Sequence, residues 1–137
     1  MKTFIVMQGW PGSGKSTKAK FLAEKFNAVI LSTDDKHFID GKYVFQPEKL
    51  GHFHKLTFEE CVALFKQGSN VVLDNTNIRR KDVIKYIEEA RNLDYYIIIC
   101  RCSGNYRNIH NVPDEKVEVM KKNMQDYKDL ADLFCEE

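Results

Sequence analysis

Several residue types and patterns are scarce in this sequence, and each shortage excludes a class of protein. The 137 residues include four cysteines and no Cys-x-x-Cys pair, which argues against a disulfide framework and against a zinc site built from paired ligands. The formal net charge is only +1, so any attraction to a polyanion must come from local clusters. The longest apolar runs, such as residues 97–100, are far too short to cross a membrane. With no recognisable signal peptide, we expect a cytoplasmic protein with reduced thiols.

The rest of the composition is that of an ordinary globular domain. Hydrophobic residues make up 43% of the chain and charged residues 30%, a balance that supports a buried core and a solvated surface. The sequence contains no internal repeat, low-complexity tract or linker. We therefore expect a single domain over residues 1–137.

The clearest motif is GWPGSGKST at residues 9–17, which fits the phosphate-binding pattern G-x-x-x-x-G-K-[ST]. The apolar run Thr3–Gln8 precedes it and is typical of a buried strand. Residues 18–26 follow it with apolar side chains at helical spacing. Strand, glycine-rich loop and helix form the context in which this pattern binds phosphate, so the sequence predicts a P-loop.

Each residue type in the loop suits phosphate chemistry. Gly12 and Gly14 allow backbone N–H groups to approach phosphate oxygens closely, and the helix that starts near Lys15 adds its positive end. Lys15 is a mobile charge for the outer phosphates, and Ser16 offers a hydroxyl to Mg²⁺. We therefore predict that ATP and Mg²⁺ bind here. The predicted nucleotide-binding residues are Gly12, Ser13, Gly14, Lys15, Ser16 and Thr17, with Ser16 as the metal ligand.

Strands and helices alternate along the rest of the chain. Buried strands are predicted at residues 28–32, 70–74 and 95–100. Helices are predicted at residues 47–65, 79–92 and 113–134. Residues 38–46, which include Gly41, read as a loop or the edge of a lid. The alternation predicts an α/β fold, a P-loop NTPase with a small four-stranded parallel sheet and helices on both faces. By analogy with simple P-loop kinases, we expect the strand order 2-3-1-4.

Polar side chains follow the predicted strands at their carboxyl ends, where ligands of such sheets bind. Asp34 and Asp35 follow the second strand, and either could accept a proton from an acceptor hydroxyl. Asp74 ends the third strand as a Walker B acid does. It could either hold the Mg²⁺ shell or orient the acceptor. Arg107 lies in a polar segment that could close over the transferring phosphate. Lys15, Asp34 and Arg107 are the catalytic candidates. The substrate-binding candidates are Asp35, His37, Asp74, Thr76 and Asn77.

Four segments together resemble the kinase domain of the bacteriophage-type polynucleotide 5′-hydroxyl kinases and their P-loop relatives: GWPGSGKST, STDD, VVLDNTN and RNIHNVP. The resemblance covers nearly the whole chain. It implies that Asp34 is the general base and that Arg107 is the lid arginine. It also implies that Lys15 and Ser16 contact the phosphates and Mg²⁺, and that the acceptor is a 5′-hydroxyl end of DNA or RNA.

Two features differ from that family. The family has an arginine three residues after the base, where it contacts the acceptor's own phosphate, and this sequence has His37 there. The phage enzyme also carries a phosphatase domain after its kinase. The 137 residues leave no room for one, so we expect any 3′-end processing to need another protein.

Three functions remain open at this point. The first is an ATP-dependent kinase of nucleic-acid 5′-hydroxyl ends. The second is a kinase of a small molecule such as a nucleoside, sugar or antibiotic, which His37 supports. The third is a nucleotide-dependent binding module, although such a switch needs neither an acceptor base nor a lid arginine. The basic residues 79–81 either guide a phosphate backbone or form the ordinary polar start of a helix.

Overall fold

The computed structural model describes residues 1–106 and 112–137. Within them the strands are β1 (Thr3–Gln8), β2 (Val29–Leu31), β3 (Phe38–Ile39), β4 (Lys42–Tyr43), β5 (Val71–Leu73), β6 (Tyr96–Arg101) and β7 (Leu133–Glu136). The α-helices are α1 (Lys15–Phe26), α2 (Leu50–Lys66), α3 (Arg80–Asn92) and α4 (Asp114–Asn123), and 3-10 turns lie at Asp34–His37, Pro47–Lys49 and Lys128–Leu130. The four strands predicted for the sheet are all present, each within one residue of its predicted ends.

Five strands form one parallel sheet in the order β2-β5-β1-β6-β7. The four anticipated strands take the expected relative order. The prediction of a four-stranded sheet is wrong, because β7 adds a fifth strand outside β6. The α/β class, with a parallel sheet flanked by helices, is confirmed.

The fifth strand occupies a segment for which the sequence predicts helix. The predicted helix over residues 113–134 ends at Asn123, and the chain then turns and extends. Asp132 starts the new strand: its backbone N–H donates to the Ile97 carbonyl at 2.8 Å, and its carboxylate accepts from the Ile97 N–H at 2.8 Å. The edge of β6 offers a full ladder of backbone hydrogen bonds, and this tertiary pairing outweighs the helical spacing of the side chains.

The core lies on both faces of the sheet, with β1 at its centre. Every residue of β1 is buried. Phe4 and Val6 pack against α2 and α3, whereas Ile5 and Met7 pack against α1. This alternation follows from the two-residue period of a strand, and a strand covered on both faces has a continuous apolar sequence.

The predicted loop at residues 38–46 contains a short hairpin of β3 and β4. Asp40 and Gly41 join the strands with φ values of 50° and 79°. Two positive φ values in a two-residue connection are the mark of a type I′ turn, which Asp-Gly favours. The hairpin follows the turn that carries Asp34 and precedes α2. No helix in the described part of the chain is long and apolar enough to span a bilayer.

Candidate active site

The P-loop connects β1 to α1 through two residues in the left-handed region. Gly12 and Gly14 have φ values of 86° and 92°, which glycine adopts without strain. The Ser13 backbone N–H donates to the Trp10 carbonyl at 3.1 Å and tightens the turn. Gly14 is the residue before the first turn of α1. The first N–H groups of the helix, which have no partner within it, therefore begin at the loop.

Lys15 and Ser16 both contact the acidic residue at the end of β5. The Lys15 ammonium lies 2.9 Å from Asp74 Oδ1, and the Ser16 hydroxyl donates to Asp74 Oδ2 at 3.1 Å. The Lys15 and Asp74 side chains are only 11% and 10% exposed, so water screens this pair less than a surface pair. The carboxylate thus joins the two residues that the motif assigns to phosphate and metal.

The donors present here fit a nucleotide with Mg²⁺. The Ser16 hydroxyl and the Asp74 carboxylate are the hard oxygen ligands that Mg²⁺ uses, together with phosphate oxygens and water. Among the described residues no group of three His, Cys, Asp or Glu side chains could hold a metal without such phosphates. The buried Ser13 Oγ has no hydrogen-bond partner within the same residues and lies against Gly9.

A cavity of about 700 Å³ brings the P-loop and Asp34 together. Its walls include the whole loop from Trp10 to Thr17, and Thr76 closes it from the β5 side. The Thr76 carbonyl also accepts from the Gly9 N–H at 3.0 Å. Asp35 is exposed and does not line the cavity. Of the two neighbouring acids, only Asp34 therefore faces the P-loop across the cavity.

The turn that carries Asp34 is held to the end of β5 by Asn75, which belongs to the VVLDNTN segment but was not among the predicted site residues. Asn75 Oδ1 accepts from the Thr33 backbone N–H at 2.8 Å, and its Nδ2 donates to Thr33 Oγ1 at 3.1 Å. Thr33 Oγ1 also donates to Thr57 Oγ1 of α2 at 3.1 Å. These bonds lie in a largely buried site and position the Asp34 turn relative to the P-loop.

The residues of this site lie within a match to a known family. A family model of the AAA domain matches residues 4–109, most of the chain. This chain belongs to the AAA domain family. It shares a P-loop kinase-like α/β fold with solved small kinases.

The relatives of this AAA domain include proteins of different kinds. NEDD4-binding protein 2 of Homo sapiens is 32% identical over 132 residues, which cover 88% of this chain and 8% of that protein. Shikimate kinase of Staphylococcus aureus (strain MRSA252) is 24% identical over 143 residues, which cover 98% of this chain and 76% of that enzyme. The solved Pnkp1/Rnl/Hen1 RNA repair complex matches with a TM-score of 0.72 at 21% identity, over 96% of this chain and 46% of that one. The chain therefore spans only a small part of the first relative.

Two of the predicted substrate ligands in this AAA domain are buried away from the cavity. His37 is fully buried, and its Nδ1 accepts from the Gln46 backbone N–H at 3.0 Å. Asn77 donates from Nδ2 to the Met7 carbonyl at 2.7 Å, and its own carbonyl accepts from the Tyr127 hydroxyl at 2.5 Å. Both side chains therefore hold segments of the fold together, and neither lines the cavity. Their contact with a substrate stays a prediction.

Arg107 lies outside the described residues. Its role as a lid arginine therefore stays a prediction.

The aromatic residues Trp10 and Tyr106 also line the cavity, and the sequence did not single them out. Trp10 Nε1 donates to the Gly104 carbonyl at 3.0 Å, and the Tyr106 N–H donates to the Gly12 carbonyl at 2.6 Å. The Tyr106 ring lies so close to Gly14 that an added Cβ there would be 2.9 Å from Cε2. Trp10 falls at a variable position of the motif, so the pattern gave no signal for it.

Glu137, the residue that follows β7, lines the same cavity. The Glu137 carboxylate pairs with the Lys18 ammonium at 2.5 Å, and this hydrogen bond raises the pKa of Lys18. Cys102 also lines the cavity and lies in the same buried cluster as Cys100. The neighbouring Cys102 thiol and burial raise the pKa of the Cys100 thiol, which keeps it protonated at neutral pH.

Proposed function

We propose that this domain is an ATP-dependent phosphotransferase that moves the γ-phosphate of ATP to the 5′-hydroxyl of a nucleic acid. The observation that carries the proposal is the position of Asp34, which lines the same cavity as the P-loop. A module that only binds nucleotide needs no carboxylate in that position. A kinase needs one, because the acceptor hydroxyl must lose its proton during transfer.

In the proposed reaction, the acceptor hydroxyl oxygen attacks the γ-phosphorus of ATP. The bond between that phosphorus and the bridging oxygen breaks, and ADP leaves. The hydroxyl proton passes to the Asp34 carboxylate. Such a transfer needs positioning and charge neutralisation more than covalent chemistry from the protein.

The remaining residues of the cavity position the donor. In this proposal the N–H groups of Gly12 and of residues 14–16 hold the phosphates, and Lys15 contacts the outer ones. Ser16 and Asp74 would hold Mg²⁺, which neutralises phosphate charge when bound. Lys15 must then exchange its contact with Asp74 for a phosphate oxygen, and the two oxygens of Asp74 become available to the metal shell.

A nucleic-acid acceptor is supported by the resemblance to the polynucleotide 5′-hydroxyl kinases and by the shared fold with a chain of an RNA repair complex. The second candidate is a small-molecule kinase. It is favoured by the match to shikimate kinase, which covers 98% of this chain and most of that enzyme. The buried His37, which replaces an arginine that contacts the acceptor's phosphate in the polynucleotide kinases, also favours it.

The test is a transfer assay with γ-labelled ATP and Mg²⁺. The acceptors are single-stranded DNA and RNA with 5′-hydroxyl ends, the matching 5′-phosphorylated strands as controls, free nucleosides, shikimate and gluconate. We expect label on the 5′-hydroxyl strands and none on the blocked strands. Label on small molecules alone would establish the second candidate, and slow hydrolysis of ATP with no transfer would refute both.

A further inference from the structure

Large apolar side chains are exposed in one short segment beside the candidate active site. Within eight residues, Phe38, Ile39, Val44 and Phe45 are 47%, 46%, 45% and 49% exposed. Single exposed apolar residues are normal, but four of them within one short segment of a small domain point to a contact surface. The segment is the β3–β4 hairpin and the residues that follow it.

Three rings of this segment form a group, which we call the aromatic strip: Phe38, Tyr43 and Phe45. The buried His37 ring links Tyr43 to Phe45, because its centroid lies 6.0 Å from the first ring and 5.0 Å from the second. Phe38 and Tyr43 are cross-strand partners, and their ring centroids lie 5.6 Å apart. The buried His37 ring connects the strip to α2: its centroid lies 5.0 Å from that of Phe45 and 4.8 Å from that of Phe53. Because the Nδ1 of His37 also accepts from Gln46, the base of the strip is rigidly held.

The aromatic strip begins where the Asp34 turn ends. The 3-10 turn Asp34–His37 runs directly into Phe38, the first residue of β3. The pKa of Tyr43 is raised mainly by burial and, to a smaller extent, by the charge of Asp34, in keeping with the short connection between the turn and the strip. A group that rests on the strip would therefore lie next to the acceptor side of the cavity.

Two lysines beside the aromatic strip can contact a phosphate backbone, although Asp40 and Glu48 lie near them in the sequence and the segment is not basic overall. Lys42 and Lys49 flank it on the hairpin and before α2, and neither forms an ion pair within residues 1–106 and 112–137. Proteins that bind single strands combine such cations for the backbone with aromatic rings on which bases stack. A stable interface with a second protein copy needs about 20–30 residues a side, far more than this hairpin offers.

We propose that the aromatic strip is the stacking platform for the nucleobase of the acceptor's 5′-terminal nucleotide. The proposal rests on the proposed function and names the part of the acceptor that the protein recognises. The base stacks on Phe38 and Phe45, and its sugar directs the 5′-hydroxyl towards Asp34. The contact takes the place of the phosphate-binding arginine that His37 replaces, so the acceptor is selected by its unpaired base.

The experiment compares two single-stranded acceptors that differ only in the first nucleotide, one with its base and one abasic. Wild-type protein should prefer the intact strand by about 5- to 150-fold in kcat/KM, mainly through KM, as expected for one base stacked on aromatic side chains. Phe38→Ala and Phe45→Ala should reduce this preference to about twofold or less. Phe38→Leu, which keeps an apolar side chain without a flat ring, should resemble Phe38→Ala.

Ile39→Ala is the matched control. Ile39 is as exposed as Phe38, but it follows Phe38 in β3 and so projects to the other face of the hairpin. The control should keep the wild-type preference. A wild-type protein that uses both acceptors equally would overturn the proposal, as would loss of preference in Ile39→Ala together with both Phe variants.

Binding separates this proposal from the proposed function. Fluorescence anisotropy with the same two strands, labelled at the 3′ end, should show the same preference in affinity even if no phosphate is transferred. Absence of transfer with a retained preference would refute the kinase and keep the platform. Equal affinities would refute the platform whatever the activity. Sedimentation velocity completes the test: a wild-type dimer that Phe38→Ala converts to a monomer would assign the strip to a second copy and overturn the proposal.

Discussion

Replacement of the Asp34 carboxylate by an amide tests the central element of the proposed reaction. Asp34→Asn keeps the size and polarity of the side chain but removes its ability to take a proton. Loss of a general base lowers rates by about 10²–10⁴, which corresponds to about 2.7–5.4 kcal/mol of transition-state stabilisation. The fold should be unaffected, because the turn is held through Thr33 and Asn75 and not through this carboxylate. We expect the free energy of unfolding to change by less than about 0.5 kcal/mol.

The assay measures single-turnover transfer from ATP to a 5′-hydroxyl strand, with ATP affinity measured separately. Asp34→Asn should bind ATP as the wild type does and lose transfer. In Asp35→Asn we expect kcat to stay within about threefold of wild type, with any defect in the KM of the acceptor, because Asp35 lies outside the cavity. Asp94→Asn, at the end of α3, is the neutral control. Activity of Asp34→Asn within a few-fold of wild type, with Asp35→Asn inactive, would refute the assignment and make Asp35 the base.

Three further changes test the rest of the site. Lys15→Ala should abolish detectable transfer, and near-normal transfer would mean that the loop is not catalytic. Urea unfolding should still show one cooperative transition, with the free energy of unfolding lowered by about 1–3 kcal/mol because the Asp74 carboxylate loses a charged hydrogen bond. Asn75→Ala should lower the free energy of unfolding by about 1–3 kcal/mol in the same urea assay, since the buried Thr33 N–H loses its acceptor. The kcat should fall as well, and unchanged values of both would show that this network does not position the turn. Arg107→Ala should lower turnover by about 10³–10⁵ with a smaller effect on ATP affinity, and Arg107→Lys should lose most of the activity because lysine lacks the planar fork. Arg91→Ala is the control for these variants, and equal, mild losses at both positions would refute the lid assignment.

The sequence was most informative where a local pattern determines local geometry. The P-loop needs glycine at its positive φ positions and a helix that begins at Lys15. Nine consecutive residues of the sequence are enough to predict both features. The buried strands were equally readable, since a strand covered on both faces leaves a run such as Thr3–Gln8. That Asp34 lies near the P-loop was predicted from one general rule, that ligands bind at the carboxyl ends of parallel strands.

Predictions failed where distant partners decide the local structure. Residues 124–134 have helical spacing, yet Leu133–Glu136 pairs with β6 because that edge has unpaired backbone groups to offer. The hairpin was missed although Asp40-Gly41 is a strong turn signal, because its strands have only two residues each and show no period. The packing of His37 was also not predicted: only the surrounding rings of Tyr43, Phe45 and Phe53 show that it supports the hairpin. Its contact with a substrate stays a prediction.

The central place of β1 has a consequence for synthesis of the protein. Among the strands of this sheet β1 is made first, but its neighbours β5 and β6 are separated from it by many residues of sequence. At about 5–20 residues per second, β1 waits roughly 4–18 s before β6 exists. Both edges of this apolar strand lack a partner until β5 is made, and one edge still lacks its partner until β6 is made. Apolar strands with unpaired edges recruit other chains. Nascent chains of this domain should therefore depend strongly on ribosome-associated chaperones until Arg101 has emerged.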